Sequence, residues 1–183
     1  VLDGTKFIAA AAKLADDVDA WDLLTGDITP EHTVPLASVL TLPATGSESN
    51  GGAVISRKET KEKLAFGTEL NFPIFSILDP ETTYSLPIKQ VRNGLVDTYV
   101  HVMEQYCTYP NAAPLQDRQA EAILKSTIEI AEKALQTPPD YDARAAYMWN
   151  ATQALNTLIG KGVPQDWATH GIGHELTAFY GVA

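Results

Sequence analysis

Apolar residues recur in two regimes along this chain, and the switch between them falls near Pro87. The spacing predicts a first helix over residues 4–15, with Phe7, Ile8, Ala11 and Leu14 as its stripe. A polar stretch through Trp21, Gly26 and Pro30 follows. Next, Pro35–Pro43 is a short apolar run boxed by prolines, which predicts a buried strand. Gly46–Gly52 is a loop of small residues, and Ala53–Arg57 with Lys63–Phe66 across a charged turn reads as a hairpin. Pro73–Pro80 is a further apolar strand, ended by Asp79-Pro80. Beyond Pro87 the period is helical, predicting helices over 88–108, 114–136, 140–160 and 165–179. Strands first and helices after, without alternation, divide the chain into residues 1–86 and 87–183.

Composition narrows the function classes. A net charge of −10, from 13 Lys+Arg against 23 Asp+Glu, argues against a nucleic-acid partner and against an anionic membrane surface. No apolar run approaches membrane-spanning length. Cys107 is the only cysteine, so no internal disulfide forms and a reducing cytoplasm is the expected compartment. Beside Tyr106 in a helical tail and with no base nearby, Cys107 is expected to be a buried, inert thiol. Val1 and the abrupt opening into an Ala-rich helix suggest a trimmed chain or a piece of a longer one.

Three of the four histidines fall into helical pairs: Asp97-x-x-x-His101 and His170-x-x-x-His174. Four-residue spacing puts each pair on one helix face, where an Asp and a His can share a divalent ion. On helix 88–108 the apolar stripe is Ile88, Val91, Leu95, Tyr99, Val102 and Tyr106, so Asp97 and His101 lie on the polar face with Gln90, Asn93 and Glu104. An ordinary solvated Asp–His pair, worth only tenths of a kcal/mol, is the simpler explanation of that spacing taken alone. For the second pair, Asp166 is a candidate N-cap for a helix starting at Trp167. Gly171 and Gly173 lower helix propensity there, which suggests close backbone approach to a neighbour or ligand; two ordinary histidines at a tight helix contact is the alternative. His32 stands apart in a loop. The Gly46–Gly52 loop matches neither dinucleotide-binding nor P-loop pattern, and either cradles phosphate or is a plain turn.

Longer stretches carry more. Leu42-Pro43-Ala44-Thr45-Gly46-Ser47-Glu48-Ser49-Asn50, Leu78-Asp79-Pro80, Asn93–Tyr106 with Asp97 and His101, and Gly162–Ala178 with His170 and His174 resemble the iron-containing (group III) alcohol dehydrogenase family. Within it they look most like the NADPH-dependent aldehyde reductase and butanol dehydrogenase branch. The resemblance runs along the whole chain. It implies an α/β, partial Rossmann-like nucleotide-binding segment followed by an all-α metal-binding segment, a dehydroquinate synthase-like fold truncated at both ends. It implies Asp97, His101 and His170 as ligands of Fe²⁺ or Zn²⁺, with His174 facing substrate or nicotinamide as a proton-relay group. Thr41, Thr45, Ser47, Asn50 and Lys63 would contact the nucleotide, NADP or else NAD, and residues 82–86 its far side.

The implied activity is hydride transfer between nicotinamide and a small alcohol or aldehyde, in a homodimer. The family's glycine-rich pyrophosphate loop would precede Val1 and a fourth ligand histidine would follow Ala183, so the chain alone is expected to be inactive or nearly so. A non-catalytic helical metal-binding or assembly module is the competing expectation, and a glycerol dehydrogenase fits the loop and the Gln165–His170 stretch less well.

Overall fold

The computed structural model describes residues 1–182, which form two compact units. One gathers Val1–Ser38, Asn50–Phe75 and the segment from Ala168 on; the other gathers Val39–Ser49 and Ser76–Trp167. Among the described residues no helix is long and apolar enough to cross a membrane.

In the first unit, helix α1 (Leu2–Ala11) is shorter than the sequence predicts. Its end tightens into i→i+3 bonds, Lys13 N to Ala10 O and Leu14 N to Ala11 O, and the acidic residues that follow turn away. The packed stripe also shifts. Ile8 is 66% exposed, whereas Phe7, Ala10, Ala11 and Leu14 meet Trp21, Leu23 and Leu24. The last two lie on α2 (Asp22–Thr25), a one-turn helix inside the predicted polar stretch that stops at Gly26 in the left-handed region, φ 83°. Strands β2 (Gly52–Arg57) and β3 (Glu62–Gly67) form the expected antiparallel hairpin, in register from Gly52 opposite Gly67 to Arg57 opposite Glu62. Ile55, Leu64 and Phe66 complete the core beneath α1. Helix α6 (Ala168–Tyr180) runs beside β3 with no residue fully buried. A β-carbon on Gly171 or Gly173 would meet no other protein atom within 4 Å, so no neighbouring backbone crowds these glycines.

The second unit is built on three helices: α3 (Ile88–Tyr106), α4 (Pro114–Ala134) and α5 (Tyr141–Ala154). The last stops well short of residue 160; residues 155–167 form turns and an extended strap. Asp140 caps α5, accepting from Ala143 N at 2.8 Å. Two apolar clusters join the helices. Val91, Leu95, Ala134, Ala143 and Tyr147 make one; Val102, Ala120, Ala154 and Ile159 make the other. Strands β1 (Ser38–Leu40) and β4 (Ser76–Leu78) pair in a two-stranded sheet. Each is three residues long where the apolar runs predict more, and Val39 is 56% exposed instead of buried. The prolines that box both runs remove ladder donors and limit pairing to their middles.

Arg144, fully buried on α5, ties the helix to its surroundings through Nε to Ala134 O (2.8 Å) and Nη1 to Thr83 O (2.7 Å). Burial pushes its pKa down from the usual guanidinium value. Tyr147, one turn on, donates its hydroxyl to Pro43 O. Gly94 of α3 is what makes room: a β-carbon there would collide with the Tyr147 hydroxyl and Pro43 O.

Gly94→Ala therefore reverses the usual propensity rule. Alanine favours an exposed helix interior, yet here the overpacking is expected to cost about 1–3 kcal/mol. Urea unfolding of the two proteins checks this; equal or greater stability in the variant would mean that Tyr147 moves aside freely.

Candidate active site

Helix α3 carries Asp97 and His101 one turn apart, with Asp97 Oδ2 3.7 Å from His101 Nδ1. A solvated polar face is one reading of the spacing, and the structure excludes it for His101, which is 4% exposed, and for its neighbours Glu104 and Gln105, which are buried too. The cover comes from elements the periodicity of α3 cannot reveal. Gln105 Nε2 donates to His101 O and to Ala154 O, both at 2.8 Å, joining α3 to the end of α5. The strap then returns along α3, with Asp166 N donating to Glu104 O at 2.9 Å and Thr108 Oγ1 to Pro164 O at 2.9 Å. This delivers Trp167 edge-on to the His101 ring, centroids 6.1 Å apart. Asp97 stays half-buried at the edge of the cover.

The second pair sits on α6. His170 and His174 are half-buried, with ring centroids 6.3 Å apart at 80°. The helix begins at Ala168, and the amide of the candidate cap Asp166 is used by Glu104 O.

The loop after β1 is not a plain turn. Ser47–Ser49 forms one turn of 3₁₀ helix, entered through Gly46 at φ 58°. Of the five residues expected at the nucleotide, Thr41, Thr45 and Ser47 belong to the helical unit, and Asn50 and Lys63 to the other. Thr41 and Thr45 are exposed, while Ser47 is buried and its amide donates to Thr45 Oγ1 (3.4 Å). Asn50 is buried, its Oδ1 accepting from Gly52 N (2.9 Å) and Lys6 Nζ (3.3 Å). Lys63 lies on β3 opposite Ser56, half-buried.

Some residues of this region escape sequence reasoning. Lys6 falls in the Ala-rich helix and reads as a surface lysine, yet it is 0% exposed, with Nζ donating to Asn50 O (2.7 Å) and Gly52 O (2.8 Å) as well as Asn50 Oδ1. Only its place one residue before the stripe position Phe7 hints at burial. Glu48 and Thr152, far apart in the chain, meet at 2.5 Å in the interior. Cys107 is exposed instead of buried, its Sγ 4.0 Å from Met103 Sδ, because α3 ends one residue before it. His32 is on an exposed loop, as expected.

The family pattern described as "Iron-containing alcohol dehydrogenase" matches residues 1–80, and "Fe-containing alcohol dehydrogenase family, C-terminal" matches residues 92–183. The chain belongs to the iron-containing alcohol dehydrogenase family, and its fold is the α/β segment followed by an α segment that the sequence implies. Among its relatives is the NADPH-dependent aldehyde reductase YqhD of Escherichia coli, 59% identical over 183 residues, which are 100% of this chain and 47% of YqhD. A probable NADH-dependent butanol dehydrogenase 1 of Bacillus subtilis is 44% identical over 182 residues, again the whole chain and 46% of the relative. The crystal structure of E. coli YqhD superposes with a TM-score of 0.96 over 99% of this chain and 47% of that one. NADH-dependent butanol dehydrogenase A of Thermotoga maritima, 36% identical, does so at 0.94 over 100% of this chain and 46% of its own. The chain thus spans about half the length of the relatives it matches.

Replacing Lys6 tests how firmly Asn50 is held. Lys6→Met leaves two buried backbone carbonyls without their charged donor, and about 2–3 kcal/mol of stability should be lost. Chemical denaturation reads this, and a loss below 0.5 kcal/mol would mean that water replaces the ammonium at these carbonyls without penalty (a threshold of about the size of surface substitutions).

Proposed function

We propose that this chain supplies the metal-binding helices and the nicotinamide loop of an alcohol dehydrogenase/aldehyde reductase acting on small alcohols or aldehydes. The observation that carries this reading is the Asp97–His101 pair. Its donor atoms are 3.7 Å apart, near the ~3.4 Å edge of a tetrahedron built on bonds of about 2.1 Å. The imidazole is also withdrawn from bulk water. A carboxylate and neutral imidazoles suit a divalent ion of either kind, iron or zinc.

Asp97, His101 and His170 are the proposed ligands, one carboxylate oxygen and two imidazole nitrogens. A divalent ion held there would serve as a Lewis acid toward the carbonyl or alkoxide oxygen, while NADP or NAD would carry the hydride. The carboxylate of Asp97 offsets part of the cationic charge, and His101 and His170 bind only as neutral imidazoles. His174, one turn beyond His170, can give a proton to the product alkoxide in the reductive direction and take one from the alcohol in reverse. Thr41, Thr45, Ser47 and Asn50 offer hydroxyl and amide groups to the nicotinamide nucleotide, and Lys63 an ammonium. NADPH- and NADH-dependent relatives both support a nicotinamide cofactor. By analogy with the family, the enzyme works as a cytoplasmic homodimer.

The chain is tested in a full-length frame by exchanging it for the matching stretch of E. coli YqhD. The hybrid should bind one divalent ion per subunit and reduce butyraldehyde with NADPH, while the chain alone should reduce it weakly or not at all. Asp97→Ala and His170→Ala should each abolish metal occupancy, read by elemental analysis. His174→Asn should keep the metal and lower kcat by about 10²-fold or more. Unchanged occupancy and rate in either ligand variant would overturn the ligand assignment.

A further inference from the structure

The loop that carries Thr45 and Ser47 is fastened to α5 at several points, all within the helical unit. Thr152 Oγ1 lies 2.5 Å from Glu48 Oε1 and 3.1 Å from Met148 O. A hydroxyl has one proton, and the shorter contact to the carboxylate takes it. Ser49 Oγ is 3.0 Å from Gly46 O and 3.5 Å from Thr152 O, at the same turn of α5. Gly46 packs so tightly on the end of that helix that a β-carbon would sit 3.0 Å from Leu155 Cβ and 3.3 Å from Ala151 O. At the loop's start, Tyr147 holds Pro43 O. Burial pushes the Tyr147 phenol well above the usual tyrosine range, so it remains a neutral donor. From the other side Ser76 Oγ donates to Glu48 O at 2.7 Å. Burying the Glu48 carboxylate costs desolvation, which the hydroxyl from a helix 104 residues further along the chain partly offsets while fixing the carboxylate's position.

We infer that Thr152 and Tyr147 are positioning residues for the cofactor loop: through Glu48 and Pro43 they fix residues 43–49 in the conformation that meets the nicotinamide nucleotide. The inference rests on the proposed role of Thr45 and Ser47. Neither hydroxyl touches cofactor or substrate in this account. Each acts by removing the freedom that the loop would otherwise lose on binding. The signature is therefore a weaker hold on the cofactor, with the chemical step affected less.

Thr152→Val keeps the shape and removes the hydroxyl; Thr152→Ser keeps the hydroxyl. In the YqhD hybrid, Thr152→Val should raise KM for NADPH about tenfold, the loss of one charge-assisted hydrogen bond, with a smaller change in kcat and none in KM for butyraldehyde. Thr152→Ser should stay within about twofold of the parent hybrid. Tyr147→Phe, at the other end of the loop, should show the same split and stands in if Thr152→Val does not fold. An unchanged KM for NADPH in both variants, or a serine variant as impaired as the valine one, overturns the inference. A parent hybrid that neither binds NADPH nor reduces butyraldehyde overturns instead the functional reading beneath it.

Discussion

Tyr147 stands fully buried with its hydroxyl on the Pro43 carbonyl, in the space that a side chain on residue 94 would fill. That three-way contact sets the spacing of the helical unit. Helix α3 can approach α5 closely only because Gly94 has no β-carbon, and the loop after β1 can reach the same point only because Tyr147 offers a donor there. Around it, Val91 and Leu95 of α3 pack on Ala143 and Tyr147 of α5 with Ala134 of α4. Packing at crystal-like density transmits such a constraint, since no element can shift without opening a void or forcing a clash.

Each unit also hides one cation among carbonyl acceptors. Lys6 joins α1 to Asn50 and Gly52; Arg144 joins α5 to Ala134 and Thr83. A buried charge satisfied by backbone dipoles costs desolvation but fixes geometry, because each donor direction must be met by a particular carbonyl. Both cations also hold backbone outside helices and strands: Asn50 just before β2 in one unit, and the 3₁₀ turn Pro80–Thr83 in the other. Irregular segments have no ladder of their own, so side-chain donors supply the bonds that secondary structure would.

Local patterns were legible wherever a single element decides its own form. The hairpin follows from alternation around a charged turn, and α3 to α5 follow from period and from prolines or Asp140 at their starts. What sequence spacing misses is set by partners far along the chain. His101, Glu104 and Gln105 occupy a polar arc of α3, yet Ala154, Pro164 and Asp166 close over it. The four residues of α2 are too few to show a period. The glycines of α6 lower propensity without a packing reason within 4 Å, and the structure offers no physical account of them. The family resemblance names Asp97, His101, His170 and His174 as a set; no periodicity could have linked two helices that are separated by the whole of α4 and α5.

Helix α5 carries none of the proposed ligand or nucleotide residues, and this is what lets it serve as a common reference. Through Gln105 its last carbonyl fixes the turn of α3 that bears His101, and through Tyr147 it fixes the turn before Asp97. Through Thr152 it fixes Glu48 in the loop after β1. Two groups that must be held within about 0.5 Å of a working geometry are better referred to one rigid helix than to each other, because errors along separate loops accumulate. The three points lie within about two turns of α5, at positions 147, 152 and 154, so a displacement of the helix would carry the turn that bears His101 and the loop together. Their mutual spacing would then survive motions that alter their relation to everything else, and it is that spacing which the proposed hydride transfer would demand.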